Sequence, residues 1–440
     1  MEFPENIFPI ATSVNDNGAI SIDGISIADI VRTHSTPLMV YSAQDVIKAT
    51  KSFVEVFDRV FYASKAAPII GLEQIIFENG AGCDVSSAGE LQVALKAGCK
   101  NNKIIFHGNN KSENDIRHAL ENNVLRIVVD SIDEIELIEQ ISEELKINNV
   151  NVQARITVGI EAHTHEAIMT GGNDGKFGNP IITGDAKRIC QRIIESNVLN
   201  LCGLHCHIGS QIFETKHLAE AARIMSNFFV EIKDEFNIDT ISELNVGGGF
   251  GIKYEANDDP PAPIEMAKAV RAAADEILKS NGLNNIEIWS EPGRALVGQA
   301  GISVYTIGTI KEIEGLQTYV SVDGGMSDNA RPATYGAVHG CWVDNRGINL
   351  EKDELIHVSV AGKHCEQGDI LNKDAQIPKS TRIGDLLIMT STGAYCFSMS
   401  SNYNMLTRPE VVLVDGSNDE KVKVIVRRET IDDILKRQVL

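Results

Sequence analysis

No apolar run in this chain approaches the roughly 20 residues that cross a bilayer as a helix, so no membrane span is predicted. The opening Met1-Glu2-Phe3-Pro4-Glu5-Asn6 lacks the basic and apolar blocks of a secretory signal, which predicts a cytoplasmic protein. Basic residues are few beside acidic ones: 40 Lys and Arg against 61 Asp and Glu leave a formal charge of −21. Phosphate surfaces repel such a chain, so neither nucleic acid nor an anionic membrane is an expected partner. A local amide-lined pocket can still hold a small anionic cofactor. CxxC pairs are absent, and the eight cysteines are scattered, so they are expected as thiols rather than bridges. Low-complexity linkers and short internal repeats are absent too.

What is present is a long alternation. The 440 residues exceed one ordinary core, and 43% hydrophobic with 23% charged residues fits a globular protein of two domains. Between about residues 59 and 290, β-rich runs at 59–63, 81–85, 104–107, 126–129, 152–156, 202–206, 243–246 and 286–290 alternate with seven stretches of helical spacing. The clearest of these carries Ile132, Ile135, Ile138, Ile141 and Leu145 after a cap at Asp130 or Ser131. Eight strand–helix units predict a closed (β/α)8 barrel over 36–294, with an open doubly wound sheet as the competing architecture. After residue 295 helical spacing fades. Runs at 302–310, 317–322, 356–360, 385–389, 411–414 and 422–426 predict a mostly antiparallel β domain over 295–440, to which residues 1–35 are expected to add strands.

A (β/α)8 barrel builds its site at the C-terminal ends of its strands. In strand order those ends carry Ser64-Lys65-Ala66, Asp84-Val85-Ser86-Ser87, His107-Gly108-Asn109-Asn110, Asp130, Arg155, His207-Ile208-Gly209-Ser210, Gly247-Gly248-Gly249-Phe250-Gly251 and Glu291-Pro292-Gly293-Arg294. Polar and glycine residues gather at one end of every strand. Lys65, beside Ala63, Ala66, Ala67 and Pro68, is expected among small apolar groups, a setting that suits Schiff-base formation; a snorkelling surface lysine is the alternative. The glycine run offers bare N–H groups to a phosphate, or is simply a tight turn. Glu291 suits a protonated pyridine nitrogen, and Arg294 suits a phosphate or carboxylate; an internal salt bridge is their plain reading. Cys202, His205, Cys206 and His207 are discounted as a metal set, because strand alternation puts His205 on the face opposite the two cysteines. His163-Thr164-His165-Glu166 has no evident third ligand, so no metal is expected. In the β domain, Asp323-Gly324-Gly325-Met326 leads to Arg331-Pro332 and Tyr335, while Cys365-Glu366 and Gly393-Ala394-Tyr395 sit in turn-rich loops.

These segments identify a resemblance. The chain resembles the pyridoxal-phosphate (PLP) decarboxylases of the alanine-racemase-like fold, and within them the diaminopimelate branch. The likeness rests on Tyr62-Ala63-Ser64-Lys65-Ala66, His107-Gly108-Asn109-Asn110-Lys111-Ser112, His205-Cys206-His207-Ile208-Gly209-Ser210-Gln211, the 247–251 run, Glu291-Pro292-Gly293-Arg294, the 364–369 loop and Gly393-Ala394-Tyr395. Ala162-His163-Thr164-His165-Glu166 with Lys176-Phe177-Gly178 is most characteristic of the branch. The resemblance implies that Lys65 holds PLP covalently. It implies that Asp84, Arg155, His207, Ser210, Gly247, Gly248, Gly249, Glu291, Pro292, Gly293, Arg294 and Tyr395 surround it. His207 would stack on the ring, Glu291 face its nitrogen, and Arg294 meet the phosphate. Arg294, Arg331, Tyr335, Glu366 and Tyr395 would hold an amino-acid substrate, and Cys365 would donate the proton. Loops bearing Cys365 and Tyr395 would come from the partner of an obligate homodimer.

The implied activity is decarboxylation of meso-diaminopimelate to lysine, with ornithine, lysine, arginine or carboxynorspermidine as rival substrates on the same fold. A PLP-free regulator and an amino-acid racemase are further alternatives; the racemase lacks an assignable second base. Gln367, Gly175, Thr157-Val158-Gly159 and Met405-Leu406-Thr407 depart from the family pattern, and none of them removes a proposed catalytic group.

Overall fold

The structure is a computed structural model that describes residues 7–15, 19–160, 172–344 and 354–439. The His163–Glu166 segment considered above as a metal set lies outside the described residues. The chain divides into two compact units. One comprises Ala49–Ile252 and Pro260–Ala295; the other comprises Met1–Lys48, Lys253–Asp259 and Leu296–Leu440.

The first unit is a closed barrel of eight parallel strands: Arg59–Ala63, Gly82–Val85, Ile104–Phe106, Arg126–Val129, Val150–Thr157, Leu199–His205, Glu243–Asn245 and Glu287–Ser290. Closure is made by the last strand against the first, with Trp289 opposite Arg59 and Ser290 opposite Val60. This pairing excludes the open doubly wound sheet. Helices fill the crossovers for the reason that the periodicity gives. In Ile132–Leu145 the buried Ile135, Ile138 and Ile141 form one apolar stripe. Ser131, not Asp130, caps that helix, its hydroxyl accepting from the Glu134 amide at 3.3 Å. Asp130 is thereby free for other work at the strand end.

The second unit is built on a mostly antiparallel sheet. Its strands run in the order Ile370–Pro378, Leu355–Ala361, Gln317–Val322, Gly301–Ile313, Leu38–Ser42, Glu410–Val414 and Val422–Val426, with Leu386–Met389 and Cys341–Asp344 branching from Gly301–Ile313. One departure from expectation stands out. Leu38–Ser42, expected with the barrel domain, pairs with Gly301–Ile313 and Glu410–Val414 and belongs to this β unit. All five of its residues are buried, so it lacks the alternation that marks a half-exposed strand. Residues before it belong to the same unit, where Thr12–Val14, Ile20–Ile22 and Ile25–Ser26 make a small sheet of their own beside the large one. Its Ile20 and Ile22 pack in one apolar core with Leu38, Val40 and Ile302.

Candidate active site

The mouth of the barrel collects a buried polar cluster around Glu291. Its Oε1 accepts from His107 Nε2 at 2.9 Å and from Asn245 Nδ2 at 2.6 Å, and its Oε2 accepts from His205 Nε2 at 3.0 Å. Burial opposes ionisation of Glu291, but the two imidazoles and their hydrogen bonds outweigh it and hold the carboxyl well below the usual range. Burial pushes His205 down to about 4. It is therefore a neutral ring donating through Nε2, which fits the absence of any described partner for its buried Nδ1. Asp84, 3.7 Å from His107 Nε2, is raised to about 6, chiefly by burial and further by the charge of Glu291, against the pull of His107.

Beneath this cluster a column of hydrogen bonds runs through the barrel. Glu243 and Asn245 lie two apart on the seventh strand and so share its inward face. Asn245 Nδ2 reaches Gln153 Oε1 at 3.4 Å, Gln153 Nε2 donates to Glu243 Oε2 at 3.0 Å, and Arg126 Nε donates to the same oxygen at 2.9 Å. A polar interior fixes the carboxylate where an apolar one would leave it unpaired.

Around the rim the structure places the remaining residues expected in this domain. The glycine turn starts directly after the seventh strand, with Gly247 at φ +68° and Gly249 at φ +102°, conformations open to glycine at no steric cost. A Cβ on Gly248 would strike the Glu291 carbonyl oxygen, so the turn also lies hard against the eighth strand end. His207 is driven to its neutral form by burial and by the nearby charges of Lys65 and Arg155, and its Nδ1 accepts from the Gly248 amide at 3.3 Å. Arg294 is buried and donates from Nη2 to Ser210 Oγ at 2.9 Å. The Pro292 carbonyl accepts from the Ala63 amide at 3.3 Å, and a Cβ on Gly293 would press on Ala63 and Ala66. Arg155 turns to Asp130, 3.7 Å away, and lies over the Phe177 ring at 4.4 Å. Lys65 stands in the short turn Ser64–Ala66. Its alanine neighbours are buried but its own side chain is exposed, which corrects the expectation of an apolar surround. The turn is anchored from below by Ser64, whose hydroxyl donates to the fully buried Glu73 at 2.6 Å.

The other unit brings its own polar residues together. Arg331 opens the short helix Arg331–Tyr335, lies over the Tyr254 ring at 4.7 Å, and is 3.5 Å from His339 Nε2. His339 donates from Nδ1 to the Thr390 carbonyl at 2.9 Å, leaving Nε2 as acceptor. Tyr335 reaches the Met399 sulfur at 4.0 Å. Cys365 and Glu366 are exposed on a loop that Asp369 closes, its carboxylate accepting from the His364 amide and Nδ1 and from the Met326 amide at 2.7–2.8 Å. A second loop supports the first: Asn404 Oδ1 accepts from the Cys365 amide at 2.9 Å and Tyr403 OH donates to Glu366 at 3.3 Å. Tyr395 holds φ +66°, a costly conformation for an aromatic residue and a mark of a constrained loop.

Sequence reasoning missed His205, Asn245, Glu73, Tyr254, His339, Tyr403 and Asn404 as members of these clusters.

Residues 43–298, more than half of the chain, match the family profile described as pyridoxal-dependent decarboxylase, pyridoxal binding domain. The chain belongs to the pyridoxal-dependent decarboxylases. Its cofactor is accordingly pyridoxal phosphate. The diaminopimelate decarboxylase of Staphylococcus aureus (strain COL) is 41% identical over 96% of this chain and 98% of its own length. That of Bacillus subtilis (strain 168) is also 41% identical, over 96% and 95%. A solved diaminopimelate decarboxylase from M. jannaschii, in complex with L-lysine, superposes with TM-score 0.88 at 32% identity, covering 98% of each chain.

Proposed function

We propose that this protein decarboxylates meso-diaminopimelate to L-lysine and carbon dioxide, the closing step of lysine biosynthesis. One observation carries the substrate: relatives at 38–41% identity over 95% or more of the chain are diaminopimelate decarboxylases. The donor set fits the cofactor. The glycine turn, Ser210 and Arg294 offer amide, hydroxyl and guanidinium donors to a phosphate. Lys65 offers an amine at the strand end of the same barrel, and Glu291 an ionised carboxylate for a pyridinium nitrogen.

When bound, pyridoxal phosphate supplies an electron sink for the electron pair that the departing carboxyl group leaves behind. Lys65 would hold the cofactor covalently through its side-chain amine. Glu291, held by His107, His205 and Asn245, keeps a proton on the ring nitrogen. The neutral ring of His207 stacks on the cofactor, a role that its uncharged state supports. Asp84, Arg155, Pro292, Gly293 and Tyr395 complete the cofactor's surroundings. Arg294, Arg331, Tyr335, Glu366 and Tyr395 hold the substrate, with Arg331 taking the distal carboxylate and Glu366 the distal amine. Cys365 returns a proton to the α-carbon.

The loops of Cys365 and Tyr395 serve the site of a partner subunit, so the working form is a homodimer. A cytoplasmic setting is supported by eight free thiols; among the described residues no helix is long and apolar enough to cross a membrane. The deciding assay measures carbon dioxide and lysine from meso-diaminopimelate beside ornithine, lysine, arginine and carboxynorspermidine. Faster turnover of any of the others overturns the substrate.

A further inference from the structure

The cofactor reading gives the barrel two separate tasks, gripping a phosphate at the glycine turn and holding a charge on Glu291. The geometry points to one residue that joins them. We propose that Asn245 is a positioning residue that locks the Glu291 carboxylate and the phosphate-binding turn into one rigid body. The inference rests on the PLP reading of the site.

Asn245 is fully buried at the end of the seventh strand, and its amide is used at both ends. Nδ2 donates to Glu291 Oε1 at 2.6 Å and lies 3.4 Å from Gln153 Oε1. Oδ1 accepts from the Gly247 amide at 3.0 Å. The return path is made of backbone: the Gly247 carbonyl accepts from the Glu291 amide at 2.8 Å and from Ser290 Oγ at 2.9 Å. Gly247 and Glu291 are thus clamped to each other through a side chain in one direction and through the main chain in the other. His107 and His205 also bond Glu291, but neither bonds the turn. Only a side chain with a donor and an acceptor on one short stem can do both. Aspartate would keep the acceptor for Gly247 and lose the donor to Glu291, setting two carboxylates in contact, and such a pair takes up a proton that either alone would release. Alanine would lose both.

The test uses full-length holoenzyme, with cofactor affinity read by absorbance titration and kcat by lysine release across pH. In Asn245→Ala both cofactor affinity and kcat are expected to fall about tenfold or more, while the KM for diaminopimelate moves less than about threefold. In Asn245→Asp the cofactor affinity should stay within about threefold, because the Gly247 bond survives. Its kcat should fall, and the acid limb of its pH profile should move upward, since Glu291 now shares a proton. A purely structural residue would not split the two variants in this way. The proposal is overturned if a folded Asn245→Ala binds cofactor and turns over like the wild type, or if the Asn245→Asp profile superimposes on the wild type. Should the alanine variant not fold, the aspartate profile alone decides. Borohydride reduction and peptide mapping of the wild type separate the two levels: no pyridoxyl label on Lys65 sinks the cofactor reading, whereas a labelled Lys65 with indifferent Asn245 variants sinks only this inference.

Discussion

At the scale of single residues, the burial of charge makes two sharp predictions. Glu73 is wholly buried, and burial lifts its carboxyl to about 8 against the opposing hydrogen bond from Ser64. Its folded pKa therefore lies above its unfolded one. The neutral side chain contributes fully to stability below the ordinary glutamate value, and that contribution drains away as pH rises toward about 8. The drain amounts to at most about 1.4 kcal/mol per pH unit. A Glu73→Gln variant does not titrate, so its stability relative to wild type should improve steadily from pH 5 to pH 8 in urea melts; a difference that is flat with pH refutes the assignment. Arg331 is the second case. Its guanidinium is already desolvated against Tyr254 and His339, so little further desolvation stands between it and a substrate carboxylate. Arg331→Ala should raise the KM for diaminopimelate about tenfold or more, with kcat less affected. An unchanged KM in steady-state kinetics would remove Arg331 from the substrate site.

At the scale of elements, the turn after the seventh strand is the least forgiving piece of the barrel. A Cβ at Gly248 has only the Glu291 carbonyl to move against, and backbone does not yield as a side chain does. Gly248→Ala should weaken cofactor binding about tenfold or more, checked by absorbance titration of the apoprotein; wild-type affinity would show that the turn does not carry the phosphate. The same turn shows what sequence can reveal. Elements at strand ends were legible, because a (β/α)8 barrel sorts its chemistry to one rim and the alternation of β-rich and helical runs marks each end. The barrel strands accordingly fall within three residues of their expected limits. Interior partners were not legible. Which face of a strand looks inward depends on closure, and the register of Leu199–His205 shifts between Leu201 and Gly203, resetting the alternation just before His205. Strands poor in alternation were lost as well: Leu38–Ser42 is buried on both faces, and Ile370–Pro378 carries Asn372, Lys373, Asp374 and Gln376 among its apolar residues. The loop clusters of the β unit were legible as motifs only, since Asn404 and Cys365 meet from 39 residues apart.

At the scale of the whole molecule, Lys65 and Cys365 belong to different compact units of the chain. A homodimer that shares its sites predicts complementation. Lys65→Ala and Cys365→Ala subunits, mixed and allowed to exchange, should form hybrid dimers with one intact site and regain about a quarter of wild-type turnover. Activity no higher than either parent variant would show that each subunit completes its own site. The column of side chains inside the barrel bears on engineering as well. A maker of heat-resistant variants would ordinarily stuff the bore of such a cylinder with aliphatic groups. Here that operation would sever the Arg126–Glu243–Gln153–Asn245 thread from which Glu291 hangs, so thermal hardening has to be sought on the outer ring of helices instead.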